Sequence, residues 1–286
     1  MFKVFRFLMI CTISVAFASI AWAQTYTTVD FPGAIATSLN GGPNPEGTNI
    51  GSYTDTSGVT HGFVLEKGVF TSFDPPGSTS TTPNWISPQG TIVGSYNDSI
   101  GVSHGFILEG GEYTTVDYPG VTFGTTLTGL SPSGEIVGFY CRTSSCTADH
   151  SFMESKQGVF TTFDPPGAIS STASTVNPSG VIVGAYTDSG GVGHGYLYNG
   201  KFTTIDFPGA TFTFAGANNP KGDIVGLYID TTGAGHSFLL SKGVFTSFDP
   251  PGTVGFSDAA GINPSGIIVG IYFDSAVVEH GFIRTP

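Results

Sequence analysis

Phe248-Asp249-Pro250-Pro251-Gly252, Asn263-Pro264-Ser265-Gly266, Ile268-Val269-Gly270-Ile271-Tyr272 and His280-Gly281-Phe282 follow one another near the C-terminus, and their recurrence decides the fold. Asp-(Phe/Pro/Tyr)-Pro-Gly begins at Asp30, Asp74, Asp117, Asp164, Asp206 and Asp249, at intervals of 42 to 47 residues. An (Asn/Ser)-Pro-x-Gly turn begins at Asn44, Ser87, Ser131, Asn177, Asn219 and Asn263. The Ile-Val-Gly-x-Tyr signature ends at tyrosines 53, 96, 140, 186, 228 and 272, and His-(Gly/Ser)-(Phe/Tyr) begins at His61, His104, His150, His194, His236 and His280. Six units fill the chain from residue 24 onward.

Each unit offers four short strands. Val69–Phe73 typifies the first, a variable stretch before Asn-Pro or Ser-Pro the second, Ile92–Tyr96 the third and His104–Leu108 the fourth. β-Branched and aromatic residues suit a pleated, half-buried surface. Asp55-Thr56-Ser57-Gly58 is a hairpin turn that sets Tyr53 opposite His61, and Lys67-Gly68 is another tight turn. Four strands in some 44 residues is the spacing of a propeller blade. The expected fold is therefore an all-β, six-bladed β-propeller of four-stranded blades, residues 24–286 forming one six-repeat domain. A β-solenoid, with fewer residues per coil, is second choice. With the variable strand innermost, residues 25–30 should pair with 280–284, so that the N-terminal strand closes the last blade and removes exposed edges.

Composition agrees. Of 286 residues, 42 are Gly and 18 Pro, which rules out long helices and coiled coils. Residues 24–286 carry seven basic side chains against 21 acidic ones, which excludes a generic phosphate-binding surface and hence nucleic acid. Residues 1–23 read as a secretory signal peptide: Lys3 and Arg6 begin it, Phe7–Ile20 is apolar, and Ala21-Trp22-Ala23 is a cleavage site. The expected location is extracellular or periplasmic, with no membrane span in the mature chain.

The pattern resembles the extracellular HAF-repeat family, through Gly261–Gly266, Ile268–Tyr272 and His280–Phe282 and their copies throughout. Gly or Ser stands in place of the Ala of that signature in all six copies. The resemblance implies export and a repeat scaffold, and transfers no chemistry.

The residues themselves argue against catalysis. Six repeated histidines invite a metal, but strand spacing puts them roughly 10 Å outward from the innermost strand, too spread for one ion. Each is expected to pin its own blade, on a tyrosine hydroxyl or a backbone group. Eleven acids sit in Asp-x-Pro-Gly or hairpin turns, where aspartate bonds its own backbone. The other ten are Glu46, Glu66, Glu109, Glu112, Glu135, Asp149, Glu154, Asp223, Asp258 and Glu279, and nothing marks two of them as a glycosidase pair. No catalytic residue, metal site or cofactor is assigned. Cys141 and Cys146, in the lengthened loop of the third unit, are expected to form a disulfide.

Recognition is expected in the variable strand. Trp85, with Asn84 beside it, stands where five other units carry Gly, Thr or Ala, and reads as a stacking platform or, preferably, a plug beside the axis. Phe212 and Phe214 carry the same ambiguity. The expected protein is a monomeric, non-catalytic binding module for an extracellular carbohydrate or protein. A carbohydrate-active hydrolase or lyase and a cell-envelope structural protein are the alternatives.

Overall fold

The computed structural model describes residues 24–143 and 149–286, among which there are twenty-four β-strands and no helix. The expected signal peptide and Cys146 lie outside the described residues. Strands Ala36–Gly41, Asn49–Thr54, Thr60–Glu66 and Val69–Phe73 pair antiparallel in series and form the first unit. The same plan is followed by each later unit. Tyr53 faces His61, and the other five Tyr–His pairs keep that register.

The variable strands Ala36–Gly41, Ser80–Ile86, Thr125–Leu130, Ala168–Val176, Phe212–Asn218 and Ser257–Ile262 are innermost. Each packs against its counterpart in the next unit, and the last packs against the first. Thr25–Val29 pairs with Glu279–Thr285, Thr25 opposite Thr285 and Val29 opposite Gly281, so the N-terminal strand closes the ring as expected.

The expectation of six separate blades needs correction. Four sheets are free-standing, four-stranded and antiparallel, whereas the fourth and fifth units share one eight-stranded sheet. A single parallel bridge, Gly193 to Phe212, joins them. Glycine allows it, because a Cβ on Gly193 would lie 2.1 Å from the Phe212 ring.

Between units lie the cores. Phe63, Phe106, Phe152, Tyr196, Phe238 and Phe282, the aromatics of the histidine signature, are completely or almost completely buried. The glycine of Ile-Val-Gly is explained by its neighbours. At Gly226 a Cβ would meet the Phe214 carbonyl oxygen at 1.9 Å, and at Gly184 it would meet the Thr172 oxygen at 2.1 Å and the Tyr196 ring at 2.8 Å.

The units also alternate in a way that a six-fold reading overlooks. Asp30, Asp117 and Asp206 are preceded by Val or Ile and followed by Phe or Tyr. Asp74, Asp164 and Asp249 are preceded by Phe and followed by Pro. In the first set the aromatic stacks on the tyrosine of the next unit: Phe31 on Tyr53 at 3.6 Å, Tyr118 on Tyr140 at 3.9 Å and Phe207 on Tyr228 at 3.7 Å. Its backbone N–H donates to a threonine hydroxyl, Thr37, Thr125 or Thr213. Proline has no N–H to give. At two of the proline junctions a serine hydroxyl instead donates to the aspartate, Ser171 to Asp164 and Ser257 to Asp249. The ring is thus three pairs of unlike units.

Candidate functional site: the central channel

Two sets of polar residues compete for attention, one on the rim and one at the axis. On the rim, each histidine Nδ1 lies 2.7–2.9 Å from an aspartate of an Asp-x-Pro-Gly loop: His61 from Asp74, His104 from Asp117, His150 from Asp164, His194 from Asp206, His236 from Asp249 and His280 from Asp30. In five units Nε2 also lies 3.4–3.6 Å from the hairpin aspartate, Asp55, Asp98, Asp188, Asp230 or Asp274. The expected tyrosine or backbone partner is thereby corrected to a carboxylate. Tyrosine contributes its ring face instead, with centroids 5.1 Å apart for Tyr53 and His61.

The hairpin aspartates act as turn residues as well. Asp55 Oδ1 accepts the N–H groups of Ser57 and Val59, and the Ser57 hydroxyl. That hydroxyl is the chief reason its pKa falls to about 2, and Thr232 does the same for Asp230. The hydrogen bond to Asp74 is the main cause of the raised pKa of His61. At His104, His236 and His280 burial opposes the charge, but the paired carboxylates outweigh it and the pKa rises. Repetition of one contact in every unit makes this a structural girdle. Among the described residues no group of three or more His, Cys, Asp and Glu is placed to hold a metal ion.

The axis is different. Each inner strand carries a β-bulge at the same place, between Leu39 and Gly41 in the first unit and Ala259 and Gly261 in the last. A bulge re-aims side chains. The bulged residues Asn40, Asn84, Thr128, Ser174, Gly216 and Ala260 all line one cavity of about 470 Å³. Two positions earlier stand Ser38, Thr82, Thr126, Thr172, Phe214 and Asp258, all but Ser38 in the same lining, with Phe139 and Ser95 behind them. Ser38 donates to Glu279 instead. Two stacked rings, one of six positions and one of five, therefore face the channel. A cavity of this size with mixed polar and aromatic walls is the usual form of a small-molecule site.

Part of the lining is already hydrogen-bonded. Asn84 Nδ2 donates to the Leu127 carbonyl at 2.9 Å, Thr128 Oγ1 to the Ala173 carbonyl at 2.8 Å, and Asn40 Nδ2 to Ser52 Oγ at 3.1 Å. Thr82, Ser95, Thr126, Thr172, Ser174 and Asp258 make no side-chain hydrogen bond, and two of these six are buried where the bond would be made. Ser174 Oγ and Asp258 Oδ1 are buried atoms without a partner. Asp258 keeps partial access to the channel, yet protein encloses its carboxyl, and burial pushes its pKa up to about 7. It is the one carboxylate in this lining.

At the Pro-turn end the channel gives way to a separate, largely apolar cavity of about 80 Å³. Trp85, Ile86, Leu130, Val176 and Ile262 line it, with the prolines of all six turns. The hairpin end lies opposite. That end is acidic: it carries the eleven turn aspartates, with Arg142 the one basic side chain among the seven of residues 24–286.

Of the residues singled out from sequence, Asn84 and Phe214 meet in the channel. Trp85 does not join them. It packs against the core of Val93 and Leu127 and lines the small cavity, its Nε1 buried without a partner, which fits the plug. Phe212 packs at the junction with Gly193. Asp258 was indistinct among ten scattered acids. Aligning the variable strands would have exposed it, since it stands in line with Ser38, Thr82, Thr126 and Thr172. Cys141 is disulfide-bonded.

No protein-family model matches the chain, and no curated protein matches it in sequence. Solved structures do resemble it. A putative TolB from Agrobacterium tumefaciens aligns over 86% of this chain and 89% of its own, with TM-score 0.60 and 14% identity. The Aleuria aurantia lectin, solved with alpha-methyl-L-fucoside, aligns over 88% and 93%, with TM-score 0.52 and 11% identity. A catalytically inactive virginiamycin B lyase from Staphylococcus aureus, solved with quinupristin, aligns over 92% and 100%, with TM-score 0.54 and 10% identity. At such identities the likeness concerns fold alone, and the chain is an all-β propeller.

Proposed function

We propose that this protein is an exported, non-catalytic propeller that binds an extracellular ligand, a carbohydrate by preference, in its central channel. One observation carries the reading: the axis is lined by residues that change between units, two of them with unsatisfied buried polar atoms, while nearly every polar residue of the rim is consumed by a repeated contact. Hydroxyls, amides and the rings of Phe139 and Phe214 suit a hydroxylated ligand with an apolar face. A single lining carboxylate supports binding over glycoside hydrolysis, which ordinarily uses two. The lectin among the structural neighbours points the same way by analogy of fold.

The same reading takes the chain as a monomer of the HAF-repeat kind, and pairs Cys141 with Cys146. Export rests on residues 1–23; among the described residues no helix is long and apolar enough to cross a membrane. A glycan array tests the function. The wild type should bind a restricted set of glycans, Phe214→Ala should lose them, and Trp85→Ala should keep them. An array without binding would overturn the carbohydrate reading.

A further inference from the structure

The two rings of the channel are not equally furnished around the axis. Through the first four units the upper positions are Ser38, Thr82, Thr126 and Thr172, all hydroxyls. The lower positions there are Asn40, Asn84, Thr128 and Ser174, amides and hydroxyls again. The fifth and sixth units break the pattern. They place Phe214 and Asp258 side by side in the upper ring, above Gly216 and Ala260, the smallest residues available. A Cβ on Gly216 would lie 3.0 Å from the Ala259 carbonyl oxygen and 3.5 Å from the Phe214 ring, so this corner is bounded by backbone and by that ring. The channel's two unsatisfied polar atoms flank the same corner: Ser174 Oγ on the fourth unit and Asp258 Oδ1 on the sixth.

An acid beside an aromatic ring, in a partly dry recess, is the arrangement that receives an ammonium group. The carboxylate supplies a charge-assisted hydrogen bond, and the ring face attracts the cation through its quadrupole. The ion would also satisfy an oxygen that otherwise lies buried without a partner, a state that costs free energy. The acidic hairpin end of the ring favours the same sign of charge. The remaining walls, hydroxyls and amides, fit the hydroxyl groups of a sugar.

We propose that Phe214, Asp258 and Ser174 form an ammonium subsite, and that the channel selects a sugar bearing a free amino group over its neutral counterpart. This rests on the channel being the binding site and names its ligand class. A hydroxyl of the neutral sugar can donate to the same oxygen, but only the amine brings the positive charge that makes the bond charge-assisted, and that charge is the discriminating contact.

Calorimetric titration of the full mature chain tests it, with the β-1,4-linked glucosamine trimer against its fully N-acetylated form. The amine trimer should bind at least tenfold more tightly. Asp258→Asn should erase the preference, and Phe214→Ala should weaken the amine trimer while Phe214→Tyr retains it, each variant being checked for an unchanged melting transition. Equal affinities for the two trimers, or binding of neither, would overturn the subsite. The channel reading is tested apart from it, by filling the axis with Ala260→Trp. Neutral glycan binding lost in that variant would leave the channel standing without the subsite, whereas binding that survives the filled channel would remove both.

Discussion

The rim and the axis of this propeller are built by opposite rules. On the rim one histidine meets one aspartate in every unit, and where the backbone donor changes, as at the proline junctions, a serine hydroxyl takes over at Asp164 and Asp249. The aromatic is kept too, Phe31 on one side of its aspartate and Phe73 on the other. At the axis the inner strands share a bulge, and hydroxyls and amides line the first four units, but Phe214 and Asp258 have no counterparts elsewhere in their ring. The difference separates what the chain needs in order to fold from what it is free to vary. A contact repeated six times maintains the ring; a residue present once is available for a ligand.

The largest effect that can break this comparison lies between units. Phe238 is fully buried, and Phe238→Ala should cost about 3–5 kcal/mol in denaturant unfolding. A channel substitution such as Ala260→Ser should stay within about 1 kcal/mol. If the two were equally costly, the division between rim and axis would fail.

Asp258 should behave as a group tuned at the expense of stability. Its folded pKa of about 7 lies above the ordinary carboxylate value, so its contribution is lost as pH rises from about 4 through 7. Asp258→Asn should therefore melt higher than wild type at pH 8, by about 1–3 kcal/mol, and show no advantage at pH 4. Calorimetry at the two pH values checks the sign.

The rim titrates in its own way. His61, His104, His236 and His280 have raised pKa values, so the stability they supply is complete below their unfolded value, about 6.5, and lost as pH rises through the folded one. The depressed hairpin aspartates Asp55 and Asp230 contribute above about 4 and lose that contribution as pH falls toward 2. Melting should be highest in mildly acidic solution. His236→Asn should flatten the decline between pH 6 and 8, by about 1 kcal/mol or less.

The smallest effect concerns one hairpin. Val277 adopts φ of +61° where the other short hairpins carry Gly58, Gly101, Gly191 and Gly233, and a β-branched residue is strained there. Val277→Gly should stabilise by about 0.5–1 kcal/mol in thermal unfolding, without touching the channel.

Much of this was legible in the sequence. Turn residues announce themselves, because Asp-x-Pro-Gly, Asn-Pro-x-Gly and the hairpin Asp-x-x-Gly each permit few backbone shapes, and their spacing gave four strands per unit and the closure by Thr25–Val29. The partner of each histidine was not legible, since the aspartate, 12 to 14 residues away in five units and 250 away for His280, reaches it only once two strands pair. Nor were the paired junctions: Phe31, after its aspartate, stacks on Tyr53, whereas Phe73, before its own, meets Phe106, a difference visible only in three dimensions. Asp258 stayed hidden because its inward aim depends on a bulge at Ala260, and Ala has no bulge signature. The joining of the fourth and fifth units hung on Gly193, one glycine among 42.

The central claim is that the ligand sits between the six inner strands. Calorimetric titration of the wild type and Ala260→Trp with a glycan taken from the array tests it most directly, with Ala260→Phe as a smaller filling and unchanged melting as the control for folding. The account predicts saturable binding by the wild type and none by the filled channel. Undiminished binding by a folded Ala260→Trp variant would contradict it.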